Sequence, residues 1–119
     1  MDQNSSSIFT TQETRDGKVI VIETPQFLDL NSAAPLRDIL ADLVAHGKVH
    51  VVVDMSETEY MDSIGLGALV SRIAAIRTGG GDLRLANPSS HTQKILELTN
   101  LDMIIETFED VNSAVESFT

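Results

Sequence analysis

The chain has 119 residues, 42% of them hydrophobic, and a net charge of −10 with a pI near 4.4. That length suits one domain with a real core, and the hydrophobic fraction excludes a disordered chain. Eight scattered basic residues exclude a nucleic-acid partner, which demands clustered Lys and Arg, and the lack of cysteine excludes a disulfide framework or a thiolate metal site.

Residues 1–7, Met-Asp-Gln-Asn-Ser-Ser-Ser, are polar and read as a disordered tail ahead of a domain at 8–118. They lack the charged and apolar regions of a signal peptide, and no apolar run nears the roughly 18 residues of a membrane span, so a cytoplasmic protein without membrane insertion is expected. Residues 8–14 and 18–23 flank Arg15-Asp16-Gly17, and Asp-Gly between strand-like runs predicts an antiparallel hairpin. Val19-Ile20-Val21-Ile22 is continuously apolar, as in a strand set centrally or covered on both faces.

Pro25 ends that strand, 26–30 reads as a loop, and Asn31 or Ser32 caps a helix with Pro35 in its first turn. Leu36, Ile39, Leu40, Leu43 and Val44 repeat at helical spacing, and Gly47 supplies the stop. From Val49 onward strands alternate with helices: strand 49–54, helix 64–78, strand 82–87, helix 90–99, strand 103–107, helix 110–118. Alternation of this kind implies right-handed crossovers and parallel strands. The fold class is therefore α/β, with a mixed, mostly parallel sheet of about four or five strands, the opening hairpin and about four helices. Gly79-Gly80-Gly81 follows a helix and lacks a Lys-Ser/Thr, so it reads as a flexible helix stop and not a phosphate loop.

No catalytic constellation emerges, so the chain is not expected to be an enzyme. His46, His50 and His91 have no partners at metal-ligand or triad spacing, and His50 reads as a surface or edge residue. Asp54, Glu57, Glu59 and Asp62 form an acidic cluster that could bind a cation in principle, but a solvated loop explains it better. No metal or cofactor is expected.

The informative stretch is 60–70, Tyr-Met-Asp-Ser-Ile-Gly-Leu-Gly-Ala-Leu-Val, a strand-to-helix turn. Asp62 or Ser63 suits the N-cap, because a short side-chain oxygen can accept from the free N–H groups of the first turn. Gly65 and Gly67 in that turn cost about 1 kcal/mol each relative to alanine, which implies a close approach to the backbone. In the helix that follows, Leu66, Leu69, Val70, Ile73 and Ile76 fall on the side facing the sheet. Ile64, Ala68, Ser71 and Ala75 fall on the opposite side, a small and apolar stripe where a solvated helix carries Lys and Glu. Docking against another protein fits that stripe, although alanines are also simply good helix formers.

Asp62-Ser63-Ile64-Gly65-Leu66-Gly67 resembles the Asp-Ser-Ser/Thr-Gly-Leu-Gly segment of STAS domains, specifically the small anti-sigma factor antagonists of bacteria. Residues 83–88, Leu-Arg-Leu-Ala-Asn-Pro, and 95–102, Ile-Leu-Glu-Leu-Thr-Asn-Leu-Asp, resemble the family's next strand and helix. Departures occur at Ile64, where the family usually has a second hydroxyl, and at Gln26, where it usually has glycine. The resemblance implies a single STAS-like domain that regulates transcription by partner switching. Ser63 would be phosphorylated by a serine kinase that is also the anti-sigma factor, and a phosphatase would reverse it. Asp29 resembles a family aspartate near that serine. The partner surface implied is Asp29, Asp62, Ile64, Gly65, Gly67, Ala68, Ser71 and Ala75, on a monomer or weak dimer. Two other readings stay open: a STAS binding subunit of a transporter or larger signalling assembly that is not phosphorylated, encouraged by Ile64, and a small nucleotide- or metal-dependent enzyme, discouraged by the missing phosphate loop and base.

Overall fold

The computed structural model describes residues 8–119; the expected tail at 1–7 lies outside them. Strand β1 (Thr10–Glu13) runs antiparallel to β2 (Ile20–Glu23), with Thr10 opposite Glu23 and Glu13 opposite Ile20. The Thr14 N–H donates to the Val19 carbonyl at 2.9 Å and closes the loop between them. After β2 come β3 (Phe27–Leu28), helix α1 (Leu30–Ala45), β4 (His50–Asp54), β5 (Tyr60–Met61), α2 (Ser63–Val70) and α3 (Ile73–Thr78). The chain ends with β6 (Asp82–Ala86), α4 (Ser90–Leu98), a 3-10 turn (Leu101–Met103), β7 (Thr107–Phe108) and α5 (Val111–Glu116).

The main sheet has the order β1-β2-β4-β6-β7, and every pair after the first is parallel. This is the mixed, mostly parallel α/β architecture expected from the alternation of elements. Strand β3 pairs in parallel with β5 as a separate two-stranded ribbon.

Strand alternation divides the core between the two faces of the sheet. Ile20, Ile22, Val51, Val53, Leu83 and Leu85 point into the larger cluster, where they meet Leu36, Leu40, Leu69, Ile76 and Leu96 from the helices. Val19, Val52 and Ala86 point the other way and are covered by Ala114 of α5, with Val111, Val115 and Phe118 packed around them. The continuous apolar run in β2 is thus explained by burial on both faces.

Several boundaries differ from the sequence reading. Residues 26–30 are not a plain loop: they hold β3, too short to show a period, and Asp29 replaces Asn31 or Ser32 as the cap of α1. Ser32 instead completes a capping box, its hydroxyl accepting from the Asp29 N–H at 2.9 Å and donating to the Phe27 carbonyl at 3.0 Å. Pro35 is the sixth residue of α1, past the first turn, so the Asn31 carbonyl loses an intrahelical donor. The triple glycine does stop its helix, but its three N–H groups donate to Ala75, Arg77 and Ile76 carbonyls. A Cβ on Gly81 would lie 1.8 Å from the Val49 carbonyl oxygen, so this turn is tightly packed and not a flexible spacer. His50 opens the central strand, half-buried with its ring centroid 5.1 Å from that of Phe118, and is not an edge residue.

Candidate functional site

Two short segments build the site in the same way. Phe27-Leu28-Asp29 leads into α1 and Tyr60-Met61-Asp62 leads into α2, each an aromatic, an aliphatic and a capping aspartate. The parallel register sets Phe27 beside Tyr60 and Leu28 beside Met61, and one residue further come the two caps. Leu28 and Met61 are buried under the helices, which turns Phe27 and Tyr60 outward by alternation.

Asp62 is the N-cap of α2: its Oδ1 accepts from the Gly65 N–H at 2.8 Å. Ser63 is therefore the first helical residue, exposed, and its side chain has no hydrogen-bond partner among the described residues. The N–H groups of Ser63 and Ile64 likewise have no protein acceptor there, so the helix start beside the serine hydroxyl carries free donors. Asp29 caps α1 in parallel, its side chain accepting from the Asn31 N–H at 3.0 Å.

The close approach inferred from the glycines is real at Gly65 and comes from the chain itself. A Cβ there would sit 2.0 Å from the Leu28 carbonyl oxygen, which also accepts from the Asp62 N–H at 3.2 Å. Gly65 thus locks α2 against β3. Gly67 is half-buried, and an added Cβ would meet only the Arg37 guanidinium at 3.5 Å, an ordinary contact.

The stripe of small residues is corrected. Ala68 is fully buried in the main core, so it cannot belong to an exposed surface. Two physical reasons account for the error. Every residue of α2 after Ser63 is apolar or glycine, so helical periodicity could not single out one buried face. The expected continuous helix is also broken: the Ser71 hydroxyl donates to the Ala68 carbonyl at 2.7 Å, α2 ends at Val70, and Ala75 belongs to α3 on a new phase. Leu66, Leu69, Ile73 and Ile76 are buried as expected. Of the expected partner residues, Ile64 and Ala75 are exposed, as is the expected phosphorylation site Ser63; Asp29, Asp62, Gly67 and Ser71 are half-buried, and Gly65 and Ala68 are buried.

The sequence reading missed an exposed apolar patch around Ser63. Phe27 is 51% exposed, Leu30 68%, Tyr60 46% and Ile64 41%. Tyr60 stacks on His91 with centroids 5.3 Å apart, and His91 Nε2 lies 3.3 Å from the Met61 carbonyl. The twice-used pattern of aromatic, aliphatic and aspartate before a helix was the available signal.

One member of the acidic cluster is tied into the fold by hydrogen bonds. Asp54 is buried, and its Oδ1 accepts from the Ser56 N–H and the Asn87 side chain, both at 3.1 Å. Among the described residues no group of three or more His, Asp and Glu side chains could hold a metal ion, and no helix is long and apolar enough to cross a membrane.

Comparison with known proteins agrees with this architecture. The anti-sigma-B factor antagonist of Bacillus subtilis is 33% identical over 79 residues, covering 66% of this chain and 72% of that protein. A candidate anti-sigma factor antagonist of Thermotoga maritima is 32% identical over 71 residues, and the match spans 60% of this chain and about three fifths of that protein, 61%. The structure of the Bacillus cell fate determinant SpoIIAA in its phosphorylated form superposes with a TM-score of 0.74 at 19% identity, covering 93% of this chain and 99% of that one, a likeness of fold. The STAS domain model matches residues 10–114, and the chain belongs to the STAS domain family.

Proposed function

We propose that this chain is an anti-sigma factor antagonist that works in the cytoplasm by switching partners, docking through the surface around Ser63. The observation that carries the reading is an exposed hydroxyl at the start of α2, one residue before exposed Ile64 and just after the ribbon that turns Phe27 and Tyr60 outward, on a family member whose relatives are named for this role. Such a patch, apolar at its centre with two carboxylates beside it, suits a protein partner better than a small substrate. The partner is an anti-sigma factor that also acts as a serine kinase on Ser63, and a phosphatase restores the free hydroxyl. The role is regulatory binding and not catalysis.

The switch follows from electrostatics. A phosphate adds about −1.5 to −2 charges next to Asp62, at the end of the ribbon that also carries Asp29, on a chain already at −10. The free N–H groups of the helix start favour it locally, so the modification leaves the fold intact while repelling and poorly desolvating against a surface complementary to neutral serine. Incubation with the candidate kinase, ATP and magnesium should add one phosphate at Ser63 by mass spectrometry and abolish binding by calorimetry. Ser63→Ala should stay unlabelled and bind persistently, and Ser63→Asp should fold yet bind poorly. Equal labelling of Ser63→Ala would remove the switch from this residue. Ile64 favours a second reading, a constitutive binding subunit, in which the partner binds with the same affinity whether or not kinase and ATP are present.

A further inference from the structure

A cavity of about 730 Å³ opens at the end of the sheet opposite Ser63. It is lined at the starts of β2 and β4, by Ile20 and His50, whereas the helix start carrying Ser63 follows their far ends. The five residues of β4 alone separate the two ends by on the order of 13 Å. Its walls are the β1–β2 loop, the connection from α1 to β4, and the last residues of the chain after α5.

Two features of the lining point to one ligand chemistry. The inner surface is apolar: Val19, Val49, Val115 and Phe118 contribute to it. The lining also gathers Arg15, Lys18 and Lys48 with His46 and His50, which is three of the eight Lys and Arg and two of the three His of the whole chain, against one acidic side chain, Asp16. The basic residues that look scattered in the sequence are therefore partly collected by the fold. Lys48 is engaged by Glu13, Nζ to Oε1 at 2.8 Å, and the Asp16 carboxylate accepts from the Thr14 hydroxyl at 2.7 Å and the Lys18 N–H at 3.1 Å. Among the described residues neither Arg15 nor Lys18 has a carboxylate within ion-pair distance of its side chain.

We infer that this cavity binds an amphipathic organic monoanion, a carboxylate with an aliphatic body. The body lies against Val19, Val115 and Phe118, and the carboxylate meets Arg15 and Lys18 at the mouth. A guanidinium fork matches a carboxylate bidentately, and a lysine adds an adaptable second donor. The size is that of sites for small organic molecules. On a chain of net charge −10, a mouth where Arg15 and Lys18 outnumber Asp16 is a local excess of positive charge that can admit an anion. An inorganic anion would leave the apolar floor unused, and a neutral alkyl chain would leave the two cations unused.

The test is an NMR titration of the whole chain with decanoate below its micelle concentration, with inorganic phosphate and decanol as the other arms. Saturable shifts are expected at Gly17, Gly47, His50 and Phe118, with none at Ser63 or Ile64, and phosphate and decanol should each bind at least about tenfold more weakly. Arg15→Gln with Lys18→Gln should weaken decanoate at least about tenfold, because it removes both charge-assisted partners. Both side chains are exposed loop positions, so unfolding by urea should be unchanged in that variant. The proposal is overturned by the absence of saturable shifts, by shifts confined to the Ser63 patch, by phosphate matching decanoate, or by undiminished affinity in the double variant. None of these outcomes bears on the switch at Ser63.

Discussion

At the scale of single residues, the turn at 60–70 separates a structural role from a signalling one. Asp62 accepts from the Gly65 N–H and donates its own N–H to the Leu28 carbonyl, for which Gly65 leaves room, while the Ser63 side chain between them makes no hydrogen bond among the described residues. A hydroxyl with no structural task is free to be modified. Unfolding by urea should therefore rank three variants: Ser63→Ala within about 0.5 kcal/mol of the parent, Asp62→Ala lower by about 0.5–2 kcal/mol through loss of the cap, and Gly65→Ala lower by about 1–3 kcal/mol or more because a methyl must push back a backbone carbonyl. Asp29 changes class by the same logic. As an exposed loop carboxylate it would be neutral to the fold, but as the cap of α1 its change to alanine should cost about 0.5–2 kcal/mol as well as weakening partner binding. A stable Asp29→Ala variant would mean that Ser32 alone suffices to start the helix.

At the scale of elements, what the sequence disclosed depended on whether an element had a period long enough to read. The β4, β6, α1 and α4 segments did, with caps or glycines at their ends, and they lie within a residue or two of where the pattern put them. Strands β3 and β5 have two residues each and no readable period, so the ribbon that carries Phe27 and Tyr60 outward was invisible, and with it most of the apolar patch. Helix α2 failed for the opposite reason: apolar almost throughout, it offered several equivalent faces, and only packing chose the one that buries Ala68. The consequence is testable. Ala68→Glu should unfold the protein or cost several kcal/mol of stability, since it buries an unpaired charge, whereas Phe27→Ala and Tyr60→Ala should keep the fold and each cost more than about 1 kcal/mol of partner binding by calorimetry. Near-wild-type affinity in both aromatic variants would move the docking surface away from the ribbon.

At the scale of the whole molecule, the sheet is covered unequally, and the thinner side depends on a few polar ties. The larger cluster takes up most of the helices, while among the described residues α5 is the helix on the other face, and Arg84 of β6 ties down the residues just after it. The Arg84 guanidinium lies 4.2 Å from the Phe118 ring centroid, and its Nη1 donates to the Ser117 carbonyl and hydroxyl, both at 2.7 Å. Asp82 holds that arginine in place: its Oδ2 accepts from Arg84 Nε at 3.1 Å, and its Oδ1 accepts from Arg77 Nε at 2.9 Å. Burial pushes the Asp82 carboxyl up, but hydrogen bonds from Arg77, Arg84 and the Leu83 N–H outweigh it and hold the group below its ordinary 3.8. A carboxylate with a depressed folded pKa contributes stability that is present above the unfolded value and lost as the pH falls through the folded one. Asp82→Asn should therefore be less stable than the parent at pH 7, and the two should converge as the solution is acidified below about pH 4, where the parent protonates and loses the same ion pairs. Urea midpoints at several pH values between 7 and 2 measure this directly. A gap that stays constant down to the lowest pH would show that the Asp82 charge does not secure α5, and that packing of Phe118 and Ala114 alone closes this face of the sheet.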